Sequence, residues 1–393
     1  MLSLCKRRAL FLSICILSLS CKERNFGPEN SDLESLLDPH RLPTQGPWFE
    51  GWYVRITPTR GTQRSLGVIV GSYLAPGVER KQAEEKGLAG YVAILDGGTR
   101  ALPLRSFEAF PRQTRLYLST SDIVGRDPSP NGRANFRWVA DGIGELTAES
   151  VTFKMPQGAS LNLKILDTVP WSKNGLGPEG FVSLFRTFPL HWFVHSLRSR
   201  VEFDAQLPSE HGSGVESIKG EGLAHFEKNW GVSFPPAYVW LQATEQFRQR
   251  SIALAGGYPL KLGAVRPEAW LVGYRSEKYS VDFAPQNPGT FFESRVDACQ
   301  GSFELTSAFM NRRLVIRAVA PRKTFGGIAI PKNSGFEKNG SEQSFQTQIT
   351  AQLFEVTPFS PSRVNDQLLE ETVFSDGALE FGSEFKCGYL IQR

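Results

Sequence analysis

A chain of 393 residues is too long for one compact core and points to roughly two domains or one large β architecture. Its 28 Phe, 8 Trp and 9 Tyr exclude wholesale disorder and supply more apolar surface than solubility needs, so much of it must be buried. Three of the positive charges behind the net +4 are Lys6, Arg7 and Arg8, in a segment read below as cleaved, so nucleic acid gains no support as a partner.

Residues 1–20 have the layout of an export signal: a short basic region, an apolar run from Ala9 to Leu19, then small residues. The run is too short to span a membrane as a helix. Ser18-Leu19-Ser20-Cys21 resembles a relaxed bacterial lipobox, in which Cys21 is lipidated and opens the mature chain; a plain signal peptide cut elsewhere and an uncleaved anchor are the alternatives. Residues 21–38 then read as a tether. The expectation is an exported, membrane-anchored bacterial lipoprotein facing the periplasm or cell surface, touching the membrane surface through that anchor. Cys5 and Cys15 fall in the signal, leaving Cys299 and Cys387, which can form one disulfide in an oxidising compartment although their spacing does not demand it. With no CxxC pair, zinc-ribbon and thioredoxin-like readings drop out.

Helical periodicity is confined to Ser31–Leu37 and Ser362–Leu369. Strand patterns recur instead: Arg115–Ser119, Leu146–Phe153, Leu161–Ile165, Val239–Ala243, Tyr279–Phe283 and Leu314–Val319 alternate or are β-branched. Turn chemistry punctuates them at Asp96-Gly97-Gly98, Pro130-Asn131-Gly132, Asp141-Gly142, Asn174-Gly175, Asn339-Gly340 and Asp376-Gly377. The reading is all-β, in sandwiches or barrels, which enclose an interior when they close. The Pro/Gly-rich piece Val169–Gly180 and the polar piece Pro208–Gly220 are candidate separators, and the lobe boundary is set near residue 205: an N-terminal lobe over 39–205 and a C-terminal lobe over 206–393.

The densest chemistry lies in His225-Phe226-Glu227-Lys228-Asn229-Trp230-Gly231, followed by Val232-Ser233-Phe234-Pro235-Pro236 and Ala237-Tyr238-Val239-Trp240. Two prolines cannot donate ladder hydrogen bonds, so this stretch predicts two strands joined by a stiff corner. Strand alternation puts Glu227, Asn229 and Gly231 on one face and Lys228 and Trp230 on the other. A carboxyl facing an apolar interior is a proton donor near neutral pH. A second cluster, Trp48-Phe49-Glu50-Gly51-Trp52-Tyr53-Val54-Arg55, puts Glu50, Trp52 and Val54 on one face. His191 and His195 are four apart, but no Glu follows His191 and the neighbours favour a strand, so no metal is expected; His195 is either a polar group lining an interior or a satisfied core histidine, the commoner case. No phosphate-binding glycine loop and no nucleophile elbow occur, so neither a nucleotide cofactor nor serine-hydrolase chemistry is expected.

Phe49-Glu50-Gly51-Trp52-Tyr53, followed far downstream by Glu227-Lys228-Asn229-Trp230-Gly231-Val232-Ser233-Phe234-Pro235, resembles the tocopherol cyclase family, whose FFEGWYFK-like and EKNWGGSFP-like segments occur in that order. Pro189–His195, Val239–Gln242 and Ala378–Gly382 are similar to further strands of the family, so the resemblance spans most of residues 39–393. Val232 stands where the family has a second glycine, Trp48 for its first phenylalanine and Arg55 for its lysine. The resemblance implies two lipocalin-like β-barrel lobes related to carotenoid hydratase-like proteins, a monomer without cofactor, and a hydrophobic prenylated small molecule as ligand. The implied reaction closes a chromanol ring on a prenylated aromatic quinol. Glu227 is the expected acid with Glu50 in reserve, and His195 or Asn229 orients or deprotonates the phenol. Trp52, Tyr53, Trp230 and Trp240 are the expected substrate-facing aromatics, the tryptophans shielding a cation by roughly 1–2 kcal/mol each. A lipid or prenoid carrier and a hydratase are the competing readings.

Overall fold

The computed structural model describes residues 37, 39–40, 42–98, 102–117, 136–173, 175–184, 188–209, 214–245, 248–259, 266–358 and 366–388. The signal segment, Cys21 and nearly all of the tether lie outside them, as do the Pro130-Asn131-Gly132 turn, Leu118, Ser119 and Asn174. No helix among the described residues is long and apolar enough to cross a membrane.

The described chain is nearly all β, in two curled sheets. The first contains β1 (Trp48–Arg60), β2 (Leu66–Leu74), β3 (Ala89–Asp96), β4 (Arg105–Ala109), β5 (Thr114–Tyr117), β6 (Arg137–Ala140), β7 (Gly144–Thr147), β8 (Ser150–Lys154), β9 (Ser160–Ile165), β10 (Leu190–Pro208) and β11 (Val215–Gly231). Its order, β4-β3-β2-β1-β11-β10-β9-β8-β7-β6-β5, leaves β1 and β11 antiparallel at the centre. The flanks curl together: Leu88 and Thr114 form a bridge, and the Trp138 indole donates to Ser72 Oγ across the interior at 2.9 Å. The second sheet contains β12 (Ala237–Glu245), β13 (Arg250–Tyr258), β14 (Ala269–Arg275), β15 (Ser280–Phe283), β16 (Phe291–Asp297), β17 (Ser302–Phe309), β18 (Arg312–Val319), β19 (Gly326–Lys332), β20 (Gly335–Glu355) and β21 (Gln367–Ser383). Nine of these run in the order β15-β14-β13-β12-β21-β20-β18-β17-β16, and β19 pairs with β20 off that path. Cys299 and Cys387 form a disulfide.

Each sheet wraps its own apolar core, and a third cluster, including Tyr53, Tyr91, Trp192, Trp240 and Phe345, lies where the sheets meet. That arrangement explains why residues 222–228 of β11 are buried on both faces: Phe226 packs in the first core, while its neighbours in the chain face the second sheet. Arg55, fully buried, ties the lobes by donating to Gln242 Oε1 of β12 at 2.7 Å and to the Asp376 carbonyl of β21. Burial lowers its guanidinium to about 10, which keeps it charged at neutral pH.

Several expectations are corrected. The lobe boundary is not near residue 205: Ala205 sits inside β10, paired with Ile218, and the chain changes sheets at 232–236. Polar residues between Pro208 and Gly220 mark the exposed end of the β10–β11 hairpin rather than a linker. The Pro235-Pro236 corner is the true junction, stitched by Phe234 N–H to the Pro331 carbonyl and Glu384 N–H to that of Pro236. Asn339-Gly340 and Asp376-Gly377 lie inside β20 and β21, where the ladders lose register. The same permissive residues that make turns also make bulges. Leu146–Phe153 is two strands, β7 and β8, and the helix expected over Ser362–Leu369 ends as the start of β21, its first four residues lying outside the described ones.

Candidate active site

A cavity of about 650 Å³ opens between the sheets, within the range of small-molecule sites. Its wall is mostly apolar, with Phe49, Tyr53, Trp192, Phe234, Tyr238 and Trp240 among the rings and Glu179, His191, Glu227, Asn229 and Glu380 among the polar groups.

Strand register sets which side chains reach it. On β1 and β11, Tyr53 pairs with Glu227 and Gly51 with Asn229, so these four share the cavity face. On β12 and β21, Trp240 pairs with Glu380. The Trp240 indole donates to Glu227 Oε2 at 2.9 Å, and His225 Nε2 lies 2.8 Å from the same oxygen. His225 Nδ1 is buried without a partner, and a hydrogen placed there would be a donor left unmade. The hydrogen therefore belongs on Nε2, donated to Glu227. With two donors on Oε2, Oε1 is the oxygen left free to carry a proton.

Glu380 is the second carboxyl of the wall. Tyr238 donates to its Oε1 at 2.6 Å and Gln343 to its Oε2 at 3.0 Å. Burial pushes the Glu380 carboxyl up to about 7 against the Tyr238 bond, and the charge of Glu227 adds to the rise. Burial also drives the Tyr53 and Tyr238 phenols well above their ordinary range, so both stay neutral. Gln343 approaches the Tyr53 hydroxyl, beyond ordinary hydrogen-bond geometry. Gly382 is required here: a Cβ would lie 1.8 Å from the Tyr238 ring that reaches Glu380.

Of the residues singled out from sequence, Glu227, Asn229, Tyr53 and Trp240 meet at the cavity. Glu50 does not. It is on the opposite face of β1, 2.9 Å from Lys228 Nζ and 2.8 Å from His40 Nδ1. Burial opposes its ionisation, but Lys228 and His40 outweigh it and hold the carboxyl below its usual range, the wrong direction for a proton donor. Lys228 does face away from the cavity, as alternation requires, yet it is fully buried rather than exposed. Trp230 lies on that side too, with the rings of His40 (4.2 Å) and His191 (5.0 Å) stacked on it. Trp52 borders the cavity, but its ring stacks on Phe136 and its indole donates to the Leu37 carbonyl. His195 is corrected as well: its ring packs edge-on against Phe226, on the first-core face of β11, and burial takes it down to about 4, with Lys228 adding to the fall.

No protein-family model matches the chain, and no curated protein matches it. Solved structures do. The crystal structure of CghA with Sch210972 aligns over 86% of this chain and 88% of that one, at TM-score 0.51 and 11% identity. The fold is two lipocalin-like β lobes. An AttH-like protein from Nitrosomonas europaea aligns over 86% and 93% at TM-score 0.44 and 10% identity. Kievitone hydratase from Nectria haematococca aligns over 86% and 89% at TM-score 0.39 and 9% identity.

Sequence reasoning missed His225 and Glu380. His225 was recoverable, since it stands two residues before Glu227 on the same strand face. Glu380 was not: its place depends on β12 pairing with β21, a contact across some 140 residues that no local pattern encodes.

Proposed function

We propose that the protein is a tocopherol cyclase-type enzyme that closes a chromanol ring on a prenylated aromatic quinol without a redox cofactor. The observation that carries this reading is the pair of buried carboxyls, Glu227 and Glu380, on the wall of an aromatic cavity. Protonating a trisubstituted alkene needs an acid held away from water, and the tertiary cation that results needs aromatic faces and a nearby negative charge. Glu227 supplies the proton from Oε1, with His225 and Trp240 drawing charge from Oε2. The carboxylate left on Glu227 and the rings of Tyr53 and Trp240 border the cation, and the phenolic oxygen captures it. The opening and central motifs, which resemble those of the tocopherol cyclase family, support the substrate class. Within the same reading, lipidation at Cys21 keeps the cavity near the bilayer in which prenylated quinols dissolve.

Incubating purified protein with a prenylated quinol and identifying the product tests the reading. A chroman is expected. A tertiary alcohol would place water, not the phenol, as the nucleophile, and quinol recovered unchanged after prolonged incubation would return the protein to the carriers.

A further inference from the structure

Most polar side chains on the cavity wall are already engaged within the protein. Glu227 Oε2 takes the Trp240 and His225 donors, and the Glu380 oxygens take those of Tyr238 and Gln343. Ser233 Oγ donates to the Phe234 carbonyl at 3.0 Å, and Lys332 Nζ donates to Ser383 Oγ at 2.7 Å. Asn229 is different. Among the described residues its side-chain amide has no hydrogen-bond partner, and the residue stands half-buried on the cavity wall. Strand register sets its direction. Asn229 pairs with Gly51 on β1 and with Trp192 on β10, and all three line the cavity, while Lys228 and Trp230, its neighbours in the chain, turn to the opposite face. Because Gly51 carries no side chain, no β1 group stands beside the amide at that register.

An amide offers one oxygen acceptor and two N–H donors, and it takes up no proton near neutral pH. Its match is a group that both donates and accepts, which is a hydroxyl, and it recognises that group without deprotonating it. Position decides which hydroxyl. Glu227 and Asn229 are two residues apart on one strand face, which separates them by about 7 Å along the strand. That is close to the span of a hydroxylated benzene ring. With the prenyl alkene at Glu227, the ring-closing oxygen lies beside the same carboxyl, and the oxygen across the ring, para to it, reaches toward Asn229.

We propose that Asn229 is the specificity residue of the cavity: its amide holds the hydroxyl para to the closing one, and so selects 1,4-quinols over phenols that lack or mask that group. The choice of hydroxyl rests on the cyclase reading; recognition of a hydroxyl at Asn229 does not. This hydroxyl takes no part in ring closure and is kept in the chromanol.

The test compares 2-prenylhydroquinone with its two monomethyl ethers: 4-methoxy-2-prenylphenol, which masks the distal hydroxyl, and 4-methoxy-3-prenylphenol, which masks the closing one. Binding is followed by tryptophan fluorescence in a Glu227→Gln background that prevents turnover. Masking the distal hydroxyl should weaken binding roughly tenfold, the worth of one good hydrogen bond. Adding Asn229→Leu or Asn229→Met, both apolar and no smaller than asparagine, should erase that ratio, so either variant that folds suffices. A merely steric dislike of the methoxy group would survive both. A ratio that is absent at the start, that the substitutions leave unmoved, or that follows the closing hydroxyl instead overturns the assignment, whether or not the quinol is turned over. If wild-type protein shows no turnover but the ratio is present and lost in the variants, the role of Asn229 stands and the cyclase reading falls.

Discussion

Glu227→Gln is expected to leave a folded protein that still takes up prenylated quinol but converts it about 10²–10⁴-fold more slowly, the usual cost of losing a general acid. The substitution removes only the acidic proton. Its amide oxygen can still accept the Trp240 indole hydrogen that now reaches Oε2. Steady-state product formation alongside a binding titration reads the result, and undiminished turnover would take the acid role away from Glu227. Lys228→Gln, on the opposite strand face, is no control. Lys228 is buried against Glu50, and removing one partner of a buried ion pair costs about 3–5 kcal/mol. An exposed cation such as Lys219, paired with Asp204 on the outer reach of the hairpin, serves better.

Glu380→Gln should change the pH dependence of stability. The carboxyl is pushed up to about 7 in the folded protein from an ordinary value of 4.5, so between those values the folded state binds a proton that the unfolded state has released. Stability must then fall as pH rises through that window and level off above it. Glutamine has no proton to lose. The variant should therefore gain on the wild type between pH 5 and pH 8, by roughly 3 kcal/mol at the upper end for a shift of this size. Denaturant unfolding at the two pH values measures it, and a stability difference that does not move with pH would show that Glu380 is ionised throughout.

The strands were legible where one face is wet. Leu161–Ile165 alternates between buried and exposed positions and forms β9. The opposed faces of Glu227 and Lys228 were also legible, because alternation is local. What the sequence could not express is that both faces of β11 are covered, one by its own barrel and one by the second lobe. A Glu-Lys-Asn run looks like surface until a second sheet is placed on it. The same blindness produced Glu50 as a reserve acid: its motif reads like that of Glu227, and only the buried Lys228 and His40 reveal an ion pair. His191 was set aside because its spacing to His195 was weighed as a metal site, whereas its partner is Glu179, in a loop whose Pro/Gly composition suggested a linker. The boundary near residue 205 failed for a related reason, since a long hairpin tip and a domain linker have the same polar composition.

The central claim is that a buried carboxyl, exchangeable with solvent between turnovers, protonates the prenyl alkene. Running the reaction in D₂O and locating the label in the product by NMR tests it most directly. The account predicts one deuterium per turnover, on the former alkene CH carbon next to the carbon that bonds to oxygen. Product that carries no deuterium at that carbon would contradict it.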